Sequence, residues 1–150
     1  SSGFKLYLIK EFQRLKDDEN DRLKLEWNLQ RTLAKVNYHI HTDAIKENLI
    51  PRELTKDKIN FVYANEADML NVALFGMTAK DWRDKNPKAE GNIRDAASIE
   101  QLVVLSNLES INSVLIHQGL TQQERLKQLN KTAIQQMKSL VNNLNIKKLK

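Results

Sequence analysis

The amino-acid sequence predicts an all-α fold, an antiparallel helical bundle or orthogonal array of six to seven helices with no sheet. Three observations predict it. Only four glycines and two prolines interrupt 150 residues, so breaks in the backbone are few. Apolar residues recur at intervals of three and four along most of the chain, which gathers them on one face of a helix. No segment alternates apolar and polar residues over a strand length bounded by turns.

Taken in order, Ser1-Ser2-Gly3 lacks the charged region and apolar run of a signal peptide and reads as a remnant of cloning. Residues 4–145 are expected to form a single helical domain, and 146–150, with Lys147, Lys148 and Lys150, a basic frayed tail. Phe4, Leu8, Phe12 and Leu15 make a helical stripe with no capping residue ahead of it, which suggests a chain cut from a longer one whose missing part lies upstream. Lys16 to Arg22 is wholly polar, and a break is expected near Asp17 to Asn20. Apolar spacing then resumes through Leu25, Leu29, Leu33, Val36, Ile40, Ala44, Ile45 and Leu49. This predicts a long helix, with a possible kink at His39 to Thr42, stopped by Pro51.

Thr55 is placed to cap the next helix, because its hydroxyl can accept an unpaired N–H of the first turn, and Asp57 adds negative charge at the positive helix end. The apolar face runs through Ile59, Val62, Tyr63, Met69, Leu70, Ala73 and Leu74 to Gly76, and a split at Ala64-Asn65 is open. Thr78 with Asp81 makes a capping-box pair for a short helix that Pro87 ends. Residues 84–98 are the most polar, turn-rich stretch and form the one long connection. Two further capping boxes, Ser98 with Gln101 and Thr121 with Glu124, flank Gly119, where a left-handed cap is wanted. They spell a helical hairpin. Its first member, Ile99 to His117, is apolar on almost every side and is expected to be central; its second carries the stripe Leu126, Leu129, Ala133, Met137, Leu140 and Leu144.

Composition narrows the function classes. Hydrophobic residues at 41% and charged residues at 29% place the chain among ordinary globular domains. Zero cysteines excludes disulfides and thiolate metal sites, and no apolar run reaches the roughly 18 residues of a spanning helix, so the expected setting is the cytoplasm. The net charge of +5 is uneven: residues 1–75 hold 12 Lys/Arg against 12 Asp/Glu, and 76–150 hold 12 against 7. Part of that excess sits in the tail, too little to argue nucleic-acid binding from charge alone.

No catalytic, cofactor or metal site is legible. His39-x-His41 with Asp43 is the one cluster of metal-ligand types, but residues two apart point about 200° from each other on a helix, so packing and capping account for them. The three histidines lie in no nucleophile motif, both phosphate-loop signatures are absent, and the carboxylates alternate with Lys and Arg as on a solvated face. The chain reads as a non-enzyme with no cofactor and no small-molecule substrate. Residues 66–86 resemble a helix-turn-helix, with the turn Gly76-Met77-Thr78 and a second helix bearing Lys80, Arg83 and Lys85; Asn71 stands where an apolar residue belongs. With Lys88 and Arg94 these cations are the candidate DNA contacts, against the plainer reading of a helix corner anchored by Trp82. Arg94 and Asp95 are read as an internal ion pair pinning the loop. The aromatics Trp27, Tyr63, Phe75 and Trp82 are assigned to the core.

Five long phrases carry a resemblance. FKLYLIKEFQRLK (Phe4 to Lys16), LEWNLQRTLAKVNYHIHTDAIKENLIP (Leu25 to Pro51), YANEADMLNVALFGMTAKDWR (Tyr63 to Arg83), GNIRDAASIEQLVVLSNLESIN (Gly91 to Asn112) and ERLKQLNKTAIQQMKSL (Glu124 to Leu140) are similar to bacterial KilA-N domain-containing proteins. The first resembles the segment that closes the KilA-N module, and the others the helical region that follows it. KilA-N modules are regarded as DNA-binding domains of phages, bacteria and large DNA viruses, so the resemblance implies a phage-related parent chain that acts on DNA. The module itself is missing here apart from its closing helix, so no DNA-contacting residue is carried over. What remains is the expectation of a non-catalytic accessory domain that mediates oligomerisation, as a homodimer, or contact with another partner, that reaches DNA through its parent, and that meets no membrane.

Overall fold

The computed structural model describes residues 3, 5–10 and 19–142, without the side chains of 19–23 and 27. Residues 5–10 are helical, and five helices follow: α1 (Glu19–Asn48), α2 (Lys56–Phe75), α3 (Ala79–Lys85), α4 (Ile99–His117) and α5 (Gln122–Asn142). No strand occurs among the described residues, as the spacing predicts. None of these helices is long and apolar enough to cross a membrane. The expected break at 17–20 falls partly outside the described residues, while residues 19–20 already belong to α1. That helix runs unbroken past His39 to Thr42, and α2 runs unbroken past Ala64-Asn65.

The helix ends follow local chemistry. Lys58 N donates to Thr55 Oγ1 at the start of α2, and Gly76, at φ 74°, closes that helix with its N–H on Val72 O. Only glycine takes that left-handed conformation without cost. Reciprocal capping boxes open α3 (Thr78 with Asp81) and α4 (Ser98 with Gln101). Thr121 and Glu124 exchange the same pair of bonds ahead of α5, at 3.0 and 3.2 Å. Between α4 and α5, Gly119 N donates to Ile116 O and Leu120 N to Leu115 O, the bond pair of a Schellman turn. Leu120 then packs on the main core, which accounts for the tight antiparallel return.

The chain forms two compact units, Ser1–Val36 and Asn37–Lys150, with the boundary inside α1. In the second, Met69, Leu70 and Ala73 of α2, Val104, Leu105, Leu108 and Leu115 of α4, and Leu129 and Ala133 of α5 form the main core. Leu126, Met137 and Leu140 pack against it as the predicted stripe requires; Leu144 lies outside the described residues. A smaller cluster of Ala44, Ile45 and Ile116, with Val62 and Tyr63, joins α1 and α4. Tyr63 and Phe75 thus pack in the core, Trp82 is half-buried, and the Trp27 side chain is outside the described set.

The expectation that α4 is apolar all round needs correcting. Ile99, Leu102 and Val114 are exposed, while Ser106, Glu109, Asn112 and Ser113 are buried. Ser106 meets α1 here, with Asn37 Nδ2 donating to Ser106 O and Oγ, and at the far end of the helix Asn48 Nδ2 lies 3.1 Å from His117 Nδ1. Because partners advance together along both helices, α1 from Asn37 onward runs parallel to α4.

Candidate functional site

Of the predicted DNA contacts, Lys80 and Lys85 stand exposed on α3, and Lys88 and Arg94 stand exposed on the loop that follows. Arg83 is half-buried and differently employed. Its guanidinium lies 5.1 Å from the Trp82 ring centroid, and it donates to Asn86 O (3.2 Å), Ala89 O (2.6 Å) and Gly91 O. A planar fork of five donors suits such a cluster of carbonyls. The loop is further fixed by Asn92 Oδ1, which accepts from Arg94 N and Asp95 N, and by Asp95 Oδ2, which accepts from Asn92 N at 2.7 Å. A side chain at Gly91 would collide with Asp95, and φ there is 76°. Asp95 therefore pins the loop through the backbone, where the sequence suggested a pairing with Arg94. Ile93 is buried, and with Phe75, Met77 and Trp82 it lines a cavity of about 280 Å³.

A second constellation was not foreseen. Glu66 of α2 and Arg125 of α5 are each 2% exposed and form an ion pair, with Glu66 Oε1 2.5 Å from Arg125 Nη1. Glu66 Oε2 accepts from Arg125 Nη1 and Gln122 Nε2, both at 3.1 Å. Arg125 Nε donates to Leu120 O, tying the α4–α5 turn to the pair, and Nη1 also donates to Asn112 Oδ1 at 3.1 Å. Asn112 Nδ2 in turn lies 2.8 Å from His41 Nε2. One continuous polar chain thus links α2, α5, α4 and α1. Above the ion pair opens a cavity of about 320 Å³ whose other walls include Leu49, Phe61, Val62 and Leu120.

Burial sets the electrostatics. The His41 imidazole is pushed down to about 4, first by burial and then by the positive charges of Arg125 and Arg94. Burial raises the Glu109 carboxyl to about 7, with Arg94 opposing. Arg94 is therefore an electrostatic neighbour of the α1–α4 seam as well as a loop residue. His39 lies on the other side of α1, exposed and 3.8 Å from Asp43, so it does not converge with His41. Among the described residues no cluster of three metal-ligand types forms. Asn71, poor in the helix-turn-helix pattern, is buried with Oδ1 unpartnered, and nothing in the structure explains it.

The signal sequence reasoning passed over is the spacing of Ser106, Glu109, Asn112 and Ser113. Four polar residues at intervals of three, three and one inside an apolar helix mark a buried polar stripe. Two pairs in the polar chain, Glu66 with Arg125 at 59 residues and Asn112 with His41 at 71, lie beyond any local pattern. No protein-family model, curated protein or solved structure matches the chain.

Proposed function

We propose that the chain is a non-catalytic helical accessory region of a KilA-N-type, phage-related bacterial DNA-binding protein, acting in the cytoplasm and joining two copies of its parent. The observation that supports this reading is on α1. Leu29, Leu33 and Val36 are spaced by four and three, the a/d spacing of a helix-pairing seam, and are 50%, 63% and 48% exposed. Apolar side chains in such a row, left in water, favour a second helix of the same kind. DNA recognition then belongs to the parent's module, and two modules held together read two half-sites. Sedimentation equilibrium over a concentration series tests the pairing. A dimer that Leu33→Asp converts to monomer is expected; a parent chain monomeric at every concentration overturns the reading.

A second reading rests on the exposure of Lys80, Lys85 and Lys88 along α3 and its loop, which suits phosphate contact after the turn at Gly76. Mobility shifts across a salt series distinguish it: phosphate contact makes binding weaken steeply with salt. Lys80→Ala with Lys85→Ala should then abolish the shift.

A further inference from the structure

The chain from Glu66 to His41 has a direction. Arg125 can only donate, so Asn112 must present its carbonyl oxygen to Nη1. The Asn112 amide is thereby fixed, with its NH2 turned to His41. An NH2 group offers only donors, so His41 Nε2 must accept, and the imidazole must be neutral with its proton on Nδ1. Arg125 is itself held in place by Glu66 and by the carbonyl of Leu120.

We propose that this one-way relay is a proton-operated latch, holding residues 37–48 of α1 against α4 only while His41 Nε2 carries no proton. Protonation sets an N–H of His41 against an N–H of Asn112. Turning the Asn112 amide to accommodate it would strip Arg125 of an acceptor.

The charged groups around His41 offer no remedy. Arg125 from α5 and Arg94 from the loop repel an imidazolium. Glu66 of α2 is engaged by Arg125, and Asp43, on α1 itself, is exposed beside His39. Glu109 of α4 is raised to about 7, so it is uncharged by the pH at which His41, lowered to about 4, takes its proton. Other attachments of this stretch include the Asn37–Ser106 bond and the small cluster of Ala44, Ile45 and Ile116, on which Leu49, Val62 and Tyr63 pack.

The test combines imidazole nitrogen NMR with amide hydrogen exchange on the whole chain. At pH 7 the nitrogen shifts should report a neutral His41 with its proton on Nδ1. As pH falls through about 4, amides 37–48 should lose protection while those of α4 and α5 keep theirs. His41→Gln supplies a carbonyl acceptor that cannot protonate, and should keep 37–48 protected at a pH where the parent has lost it. Asn112→Asp turns the donor into an acceptor and should raise the His41 midpoint by about one pH unit or more, with α1 then held by an imidazolium. A proton on Nε2 at pH 7 overturns the latch, as does simultaneous loss of protection in α1, α4 and α5. So does a His41→Gln chain that releases at the parental pH, or a lowered midpoint in Asn112→Asp. The tautomer measurement needs no variant, so a substitution that prevents folding leaves the question decidable.

Discussion

Residues 29–36 of α1 and the α4–α5 hairpin show the same helical periodicity and treat it in opposite ways. On α1 the apolar row Leu29, Leu33 and Val36 stands in water. On the hairpin Leu105, Leu108 and Leu129 are at most 2% exposed, and even polar Asn112 and Arg125 are buried beside them. Spacing defines a face; only the partner decides whether that face is dry. Residue type is a poor guide to energetic cost here, and burial a good one.

The largest expected effect sharpens this contrast with a polar residue. Arg125→Ala leaves the Glu66 carboxylate buried without its counter-charge, and loss of one member of such a pair costs about 3 to 5 kcal/mol. Urea denaturation measures it; a loss below about 1 kcal/mol would mean that water reaches Glu66. Leu105→Ala should follow at about 2 to 5 kcal/mol, since a cavity adds to the lost transfer energy. Thermal melts check it.

A subtler effect comes from the two shifted groups. His41, at about 4 in the fold against 6.5 unfolded, withdraws stability as pH falls from 6.5 to 4. Glu109, at about 7 against 4.5, withdraws stability as pH rises from 4.5 to 7. Between about 4.5 and 6.5 the folded chain holds its proton on Glu109 and the unfolded chain on His41, so the two slopes offset. Glu109→Gln should uncover the His41 slope, about 1.4 kcal/mol per pH unit across that window. Denaturant midpoints at pH 5 and 6 read it, and an unchanged profile would sink the assignment.

The smallest effect belongs to the exposed row. Leu33→Ala, measured where the chain is dilute enough to be monomeric, should change stability by under about 0.5 kcal/mol. A loss like that of Leu105→Ala would erase the comparison between the two regions.

What the sequence discloses about this molecule is local. Thr78 and Asp81, Ser98 and Gln101, and Thr121 and Glu124 are three residues apart, so spacing alone identifies each box, and Gly119 between two of them marks the turn. Leu105 and Leu129 follow from periodicity. The Glu66–Arg125–Asn112–His41 chain does not, because four helices contribute to it and no local spacing brings their polar residues together. Arg83 is a similar case: its spacing with Lys80 suggests a basic surface, while the fold turns its guanidinium onto the carbonyls of its own loop.

The long reach of the polar seam also orders events in time. The Schellman turn and both hairpin caps close over a few residues, so α4 and α5 can meet early at little loss of chain entropy. Asn37 and Ser106 are 69 residues apart, and their bond must wait for a large loop to close. Docking of residues 37–48 on α4 is therefore expected after the hairpin has closed, and pulse-labelled hydrogen exchange should find amides 37–48 protected after those of the hairpin.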